Sequence, residues 1–263
     1  MNLLEEIIEY KKAEVIDARA KVPLDELLVK PNFKKAVKSF SASIKNGNGI
    51  IAEFKRKSPS AGEFNKCLID DVLNTYKNNE VAGVSVLTDD HYFAGKLDDL
   101  EKASNLNFAP VLRKDFIIDE YQIFEAKAYG ADAILLIAEA LDDYHATYLA
   151  TIAKSIGLEV LMEFHGASEL HKLNENVDVI GINNRNLKTL KTDVRTAFDL
   201  IRKLPYDRLK IAESGISSEF EIQELLKVGY EGFLIGESLL KDKDLLNGFN
   251  KTIAKFKSSN YAY

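Results

Sequence analysis

Eight short runs of apolar, mostly β-branched residues recur along the chain from Ile50 onward. They are IIAEFK (50–55), GVSVLT (83–88), PVLRKDF (110–116), AILLIA (133–138), EVLMEF (159–164), VIGINN (179–184), LKIAES (209–214) and GFLIGE (232–237). Segments with helical periodicity separate them, and several of these end in the glycine that commonly closes a helix. Apolar strands joined by helices favour a parallel sheet, and eight units predict a closed (β/α)8 TIM barrel of the α/β class. An open doubly wound sheet is the alternative, since periodicity alone does not establish closure.

Residues 1–48 precede the first run and have a helical pattern. Apolar residues recur there at intervals of three and four, at Leu4, Ile7, Ile8, Val15 and Ile16. Such a stripe needs a surface to pack on. We therefore predict one barrel domain over residues 1–263, of which 1–48 is a helical extension packed on the barrel. A share in covering the active site is the second interpretation of this stripe.

Composition and charge exclude several classes of protein. The chain is 46% hydrophobic and 29% charged, and it contains no run of about 18 apolar residues, so no membrane partner is expected. Its first residues carry acids where a signal peptide would carry bases, which favours a cytoplasmic protein. A net charge of −6 argues against nucleic acid as a partner. A monomer is expected.

Neither the cysteine nor the histidines predict a metal site. Cys67 is the single cysteine, so it can form no internal disulfide and no Cys-based cluster. The four histidines, His91, His145, His165 and His171, lack the spacing of metal ligands. We interpret them as surface or packing residues.

Polar side chains end six of the eight runs. They are Glu53, Lys55 and Lys57 after the first, Lys114 after the third, Glu163 after the fifth, Asn183 and Arg185 after the sixth, Glu213 and Ser214 after the seventh, and Gly236 with Glu237 after the eighth. Active sites of (β/α)8 barrels lie at the C-terminal ends of the strands. Each residue alone fits a solvated strand end, but together they predict one active site.

Small residues follow the seventh and eighth runs, in SGI and IGES. Helix-like segments come after both, and this is where many barrels bind a phosphate group through backbone N–H groups and helix N-termini. Gly215 and Gly236 are the candidate positions, with a tight turn as the alternative for each. A phosphorylated small molecule is therefore the expected partner.

Six of the motifs together resemble one known family. IIAEFKRKSPS, SVLTDDHYFAG, PVLRKDFI, VIGINNRNL, IAESGI and FLIGE resemble indole-3-glycerol-phosphate synthase in their order and separations. The resemblance covers nearly the whole chain, including the N-terminal EIIEYKKAEV. KRKSPS and LRKDF are its most specific parts.

The resemblance implies a reaction of tryptophan biosynthesis without a cofactor. It converts 1-(2-carboxyphenylamino)-1-deoxyribulose 5-phosphate into indole-3-glycerol phosphate with loss of carbon dioxide and water. It implies Lys114 as the proton donor in ring closure and Glu163 as its acid–base partner. It implies Glu53 as an orienting carboxylate, and Lys55 as a second acid or a cation near the substrate carboxylate.

The resemblance also implies the residues that bind the substrate. Asn183 and Arg185 would bind the sugar and anthranilate part, and Glu213 would hold the sugar hydroxyls or the lysines. The phosphate group would contact Lys57, Ser58, Ser214, Gly215 and Gly236. The benzene ring of the substrate needs an apolar wall, for which Phe93, Phe116 and Leu135 are the candidates, with core packing as the alternative for each aromatic.

Glu237 departs from the small hydroxyl residue that the family often has after the glycine. A carboxylate beside a phosphate group repels it, so we expect the Glu237 side chain to point outward while its N–H donates. A weaker phosphate contact is the alternative.

Two other functions fit the same residues. In a phosphosugar aldolase, Lys114 or Lys55 would form a Schiff base with a carbonyl group. In a non-catalytic barrel, the site would only bind a phosphorylated sugar. A binder has no need of buried Lys55, Lys114 and Glu163 together, which favours an enzyme.

Overall fold

The computed structural model describes residues 2–64 and 68–260 of the chain, so Cys67 lies outside the described residues. Within those residues, eight parallel strands form a closed barrel. The strands are β1 (Ile50–Phe54), β2 (Gly83–Leu87), β3 (Val111–Lys114), β4 (Ala133–Ile137), β5 (Glu159–Phe164), β6 (Val179–Asn183), β7 (Leu209–Glu213) and β8 (Gly232–Ile235).

Strand β1 closes the barrel, because it pairs with β8 on one side and with β2 on the other. Ile50 lies opposite Phe233, and Glu53 lies opposite Ser85. The predicted (β/α)8 barrel is therefore confirmed, and the open sheet is excluded. All eight predicted runs are strands. Most of these strands end one or two residues before the end of the predicted run, where the chain leaves the sheet and enters the loop.

Helices connect the strands on the outside of the barrel. Their bounds are α1 (Leu3–Lys21), α2 (Leu24–Val29), α3 (Phe40–Asn46), α4 (Ile69–Asn78), α5 (Asp90–Phe93), α6 (Leu97–Leu106), α7 (Glu120–Ala128), α8 (Asp143–Ser155), α9 (Arg195–Leu200), α10 (Glu219–Val228), α11 (Glu237–Lys241) and α12 (Leu245–Asn260). Short 3₁₀ helices lie at Pro31–Lys34, Ala138–Ala140, Ala167–Lys172 and Ile201–Lys203. Of the helices described, none combines the length and the apolar character needed to cross a bilayer.

Side-chain caps fix where several helices begin. Ser218 caps α10 with Glu221 in a reciprocal capping box, and Gly229 ends the helix with φ +106°. Asp119 and Gln122 form the same box at the start of α7. These caps set the direction in which the chain leaves each strand end.

The helices of residues 1–48 cover both ends of the barrel. Phe40 and Ile44 of α3 are fully buried near the first residues of β2 and β8, at the N-terminal end. Leu4 and Ile7 of α1 are buried in the same apolar cluster as Phe116 and Leu135, at the opposite end. The N-terminal segment therefore packs on the barrel and also reaches the end where the polar strand termini lie. The division of the chain into a single domain stays a prediction.

A buried cluster of charges fixes α1 to the barrel. The ammonium group of Lys11 lies 2.8 Å from Asp89 Oδ2 and 2.9 Å from Asp115 Oδ1, and all three side chains are fully buried. Burial opposes the charge on Lys11, but Asp115 and Asp89 outweigh it and raise the pKa of the lysine. Burial also opposes ionisation of Asp115, but Lys11 and Arg113 hold the pKa of that carboxyl well below its usual range. Lys11 is therefore cationic and Asp115 is ionised, and the ammonium group lies between two buried acidic side chains.

We predict that Lys11→Met lowers the free energy of unfolding by about 3–5 kcal/mol, because it leaves Asp89 and Asp115 buried with too little positive charge. Lys12→Met is the matched control, since Lys12 pairs with Glu9 on the surface with its side chain 57% exposed. We expect the control to change stability by about 0–1 kcal/mol. Urea denaturation measures both. Equal midpoints for the two variants would contradict the prediction.

Candidate active site

A lysine lies between two carboxylates at the C-terminal end of the barrel. Lys114, the last residue of β3, donates hydrogen bonds of 2.9 Å to Glu163 Oε2 on β5 and 2.9 Å to Glu213 Oε2 on β7. The side chains of both carboxylates are at most 2% exposed. These three strands alternate around the barrel, and side chains of alternate strands point into the same interior layer.

A second lysine–carboxylate pair lies beside the first. Glu53, on β1, belongs to the same set of alternate strands. Its Oε1 accepts a hydrogen bond of 2.7 Å from Lys55 Nζ. The predicted strand-end residues Glu53, Lys55, Lys114 and Glu163 all line one cavity. The site therefore brings two ammonium groups and three carboxylates together at the C-terminal end of the barrel.

Burial and the neighbouring charges separate the protonation states of the two carboxylates at Lys114. Burial raises the pKa of Glu213 to about 8, and the charge of Glu163 reinforces this against the opposing effect of Lys114. Burial also opposes ionisation of Glu163, but Lys114 and then His165 hold its pKa well below the usual range. Lys114 has a raised pKa, because Glu163 and Glu213 outweigh the effect of its burial. At neutral pH, these shifts favour a cationic Lys114, an ionised Glu163 and a protonated Glu213.

Two glycines provide the space for these carboxylates. A Cβ atom added at Gly181 of β6 would lie 2.2 Å from Glu213 Oε1, and one added at Gly236 would lie 2.4 Å from Glu53 Oε1. Any other residue at either position would displace the neighbouring carboxylate. The absence of a side chain at these positions is therefore part of the site.

An apolar cavity opens beside Lys114. Phe93, Phe116 and Leu135, the predicted wall residues, all line it, and the ring centroids of Phe93 and Phe116 are 6.2 Å apart. Other apolar residues complete the wall, and of these the sequence indicated only the stripe of α1. The additional apolar residues are Leu3, Leu4 and Ile7 of α1, Leu87, Ile137, and Leu187 and Leu190 of the loop after β6. The apolar stripe of α1 therefore covers part of the site, which was the second interpretation of this stripe in the sequence.

A second cavity, here named the loop cavity, adjoins the apolar one. The predicted residues Ser214, Gly215, Gly236 and Glu237 line it, together with Ser238. Glu53, Lys55, Lys114, Arg185 and Ser214 line both cavities. A molecule that filled both would therefore pass directly over the lysines and carboxylates.

Asn183, Arg185 and Glu237 complete the rim of the site. Asn183 Oδ1 accepts a hydrogen bond of 2.9 Å from the backbone N–H of Arg185. The Glu237 carboxylate pairs with Lys241 Nζ at 2.6 Å and lies 3.6 Å from Arg185 Nη2. Lys241 and Arg185 contribute to lowering the pKa of Glu237 against the opposing effect of burial. Glu237 is thus an ionised residue bound to cations at the edge of the loop cavity.

Two predicted phosphate ligands lie elsewhere than expected. Lys57 lies in a two-residue strand, Lys57–Ser58, that pairs with Gly62–Glu63, and it lines neither cavity. Ser58 lines the apolar cavity and not the loop cavity. The short ribbon after β1 turns both residues away from Gly215 and Gly236. No pattern in the sequence indicated this ribbon.

His165 is a site residue that the sequence did not reveal. Its interpretation as a surface or packing residue rested on the absence of metal-ligand spacing. The structure places its Nε2 3.2 Å from Glu163 Oε1, with a side chain only 5% exposed. The available signal was its position two residues after Glu163, directly after the end of β5.

A closed parallel barrel with a buried lysine and carboxylates at its C-terminal end defines the class of (β/α)8-barrel enzymes. Over residues 4–251 the chain matches the family model of indole-3-glycerol phosphate synthase. Among curated relatives, the enzyme of that name from Bacteroides thetaiotaomicron is 42% identical over 96% of this chain and 99% of its own length. That from Aliarcobacter butzleri is 43% identical over 95% and 99%.

The chain belongs to the indole-3-glycerol phosphate synthase family. The resemblance found in the sequence motifs is confirmed, and so is the prediction of an enzyme of the lyase class.

Solved structures support the barrel independently. 3-Hexulose-6-phosphate synthase from Salmonella typhimurium aligns with a TM-score of 0.63 at 12% identity, covering 79% of this chain and 99% of its own. The tryptophan synthase alpha-subunit from Pyrococcus furiosus aligns with a TM-score of 0.56 at 15% identity, covering 80% and 98%. At such identities the likeness shows the fold alone.

We predict that Gly181→Ala lowers kcat by about 10²-fold, because the added methyl group displaces Glu213 from Lys114. Gly166→Ala is the matched control, since the nearest side-chain atoms to an added Cβ lie 3.8 Å away. Its kcat should stay within about twofold of the unmodified protein. Steady-state formation of indole-3-glycerol phosphate measures both variants. Equal rates would show that Glu213 does not need its present position.

The raised pKa of Glu213 makes the stability of the protein depend on pH. The pKa of Glu213 is raised to about 8 in the folded protein, so its contribution to stability is fully present below its ordinary pKa and is lost as pH rises through about 8. Gln cannot lose this proton. We therefore expect the stability advantage of the unmodified protein over Glu213→Gln to decrease between about pH 5 and about pH 9. Urea denaturation across this range measures it, and a constant or growing advantage would contradict the sign.

Proposed function

We propose that this chain closes the indole ring of tryptophan biosynthesis by acid–base catalysis. Its substrate would be 1-(2-carboxyphenylamino)-1-deoxyribulose 5-phosphate, and its products indole-3-glycerol phosphate, carbon dioxide and water. The family membership supports this reaction. The observation that carries the residue roles is the position of Lys114, 2.9 Å from both Glu163 and Glu213 and beside an apolar cavity.

The first chemical step forms a carbon–carbon bond. The ring carbon that bears the carboxylate attacks the ketone carbon of the sugar, and negative charge develops on the ketone oxygen. A cationic donor close to that oxygen lowers the barrier by electrostatic stabilisation and proton transfer. Lys114 supplies it, since its raised pKa keeps it protonated in the resting site.

The later steps release carbon dioxide and water. Loss of carbon dioxide returns its bonding electrons to the ring and restores aromaticity. The new hydroxyl group then leaves as water after it takes a proton, and a proton on the adjacent carbon goes to a base. Lys55, paired with Glu53 at 2.7 Å, is the second acid, and Glu163 is the ionised base. Two separate lysine–carboxylate pairs thus match the two proton deliveries.

The two cavities bind opposite ends of the substrate. The benzene ring lies in the apolar cavity against Phe93, Phe116 and Leu135. The phosphate group lies in the loop cavity at Ser214, Gly215 and Gly236. The sugar then spans the residues shared by both cavities.

The polar residues at the rim orient the substrate between the two cavities. Arg185 and Asn183 bind the sugar and the anthranilate carboxylate. Glu237 interacts with Lys241 and Arg185, and its carboxylate stays out of the phosphate contact.

The charge on Lys114 argues against the aldolase alternative. A Schiff-base lysine attacks as the neutral amine, whereas two carboxylates stabilise the ammonium form here. Borohydride treatment in the presence of a ketose phosphate separates the mechanisms. Irreversible labelling of Lys114 or Lys55 would support the aldolase.

The direct test is to mix the purified protein with the carboxyphenylamino-deoxyribulose phosphate and follow indole fluorescence. We expect Lys114→Ala and Glu163→Gln to lower kcat by at least about 10²-fold with the fold intact, since each removes an acid–base group. Lys227→Ala is the control, because Lys227 is half exposed and pairs with Glu224 on the surface of α10. Near-normal kcat in either site variant would refute its role.

Four expectations from the sequence stay predictions. They are a cytoplasmic location, a monomeric state, the absence of membrane and nucleic-acid partners, and catalysis without a cofactor. Size-exclusion chromatography and activity after exhaustive treatment with a chelator measure the second and the fourth.

A further inference from the structure

His165 lies at the end of β5, two residues after Glu163, with a side chain that is 5% exposed. Its Nε2 is 3.2 Å from Glu163 Oε1. The other oxygen of that carboxylate, Oε2, accepts the hydrogen bond from Lys114. Glu163 is therefore flanked by a nitrogen group on each of its two oxygens.

More carboxylates face the other side of the imidazole ring. Nδ1 lies 3.8 Å from Oε2 of Glu139, in the turn after β4. The backbone N–H of His165 donates to Glu169 Oε2 at 2.9 Å. Lys188, from the loop after β6, pairs with Glu139 Oε1 at 2.7 Å. Within the described residues, neither ring nitrogen makes a hydrogen bond of good geometry. The ring nevertheless lies among the carboxylates of Glu163, Glu139 and Glu169.

This arrangement favours the charged form of His165. Neutral imidazole has one N–H and one lone pair, whereas an ionised carboxylate can only accept. A neutral ring can direct its N–H to one side only. The doubly protonated ring directs an N–H to each side, where Glu163 Oε1 lies at 3.2 Å from Nε2 and Glu139 Oε2 at 3.8 Å from Nδ1. Burial opposes that charge, but Glu163, Glu169 and Glu139 outweigh it and raise the pKa of His165.

The charge on His165 matters because Glu163 and Glu213 share the ammonium group of Lys114. Two buried carboxyl groups this close together cannot both ionise readily. Glu163 has an additional cation at its second oxygen. Glu213 Oε1 has no hydrogen-bond partner among the described residues. The imidazolium thus favours ionisation of Glu163 and leaves the proton on Glu213.

We propose that His165 is a positioning residue whose imidazolium, 3.2 Å from Glu163 and with Glu139 on its other side, keeps the Glu163 carboxylate ionised and directed at Lys114. The inference rests on the proposed role of Glu163 as the base. His165 itself touches no reacting atom in this scheme. It selects which of the two carboxylates at Lys114 can accept a proton.

The same cluster has residue types that bind divalent cations. Ligand atoms of Glu139, His165 and Glu169 lie within 4.8 Å of one another. However, Lys188 already neutralises Glu139, and a metal ligand must be a neutral imidazole. The local balance of charge favours a proton on His165 over a metal ion.

The first test measures the imidazole directly in the protein without substrate. The chain has four histidines, so the ring signals of His165 in ¹⁵N NMR are assigned by their loss in His165→Gln. We expect a pKa above the ordinary value of about 6.5, and a lower pKa in Glu139→Gln. A ring that is neutral at pH 6, that ignores Glu139→Gln, or that binds added Zn²⁺ at micromolar concentration would overturn the proposal. This readout is independent of whether the protein makes indole-3-glycerol phosphate.

The second test separates positioning from structure by kinetics. His165→Leu should lower kcat about tenfold or more with KM within about twofold, and His165→Gln should recover part of kcat through its N–H.

The acid limb of the kcat/KM profile of His165→Leu should move to higher pH, because Glu163 loses the cation that favours its ionised form. Glu139→Gln should move it in the same direction even if His165→Leu does not fold. His171→Gln, which removes an exposed histidine paired with Asp143, should leave the profile unchanged. An acid limb that stays in place in the folded variants would overturn the proposal.

Discussion

The site depends on one ammonium group shared by two carboxylates where little water reaches. Lys114, Glu163 and Glu213 come from alternate strands of the barrel, so closure of the sheet brings their side chains into one layer. Burial and the charge of Glu163 outweigh the effect of the shared ammonium group on Glu213 and raise the pKa of that carboxyl, which favours its protonated form. The protonation pattern of the site follows from this imbalance. It gives a cation, a base and a neutral acid within hydrogen-bonding distance of each other.

The surroundings of this group reinforce the same pattern. Gly181 leaves room for Glu213, and His165 adds a second cation at Glu163. The apolar cavity lowers the local polarity beside the lysine, which strengthens each electrostatic interaction there. Helix α1 forms part of that cavity and is fixed by Lys11 to Asp115, the residue after Lys114. Asp115 thus links the packing of the N-terminal helix to the position of the reactive lysine.

The sequence predicted the barrel and the central charges because both follow from short-range rules. An apolar run of a parallel sheet ends at the ligand-binding edge, so Glu53, Lys114 and Glu163 were identifiable from position alone. The misplaced and missed residues depend on contacts between distant loops. Lys57 is turned away by a ribbon of two-residue strands. His165 acquires its importance from Glu139, on another loop, and no local pattern encodes such a pairing.

The position of helix α1 near the start of this sequence has a consequence for the order in which the fold assembles. The helix is made before the strands of the barrel, yet its buried lysine has its partners after β2 and β3, and its apolar residues Leu4 and Ile7 line a cavity completed by later strands. Contacts between segments far apart along a chain form slowly, since the intervening loop must close first. The nascent helix therefore lacks its docking surface until those strands have been made. The apolar cavity is complete only when this helix packs against segments synthesised after it.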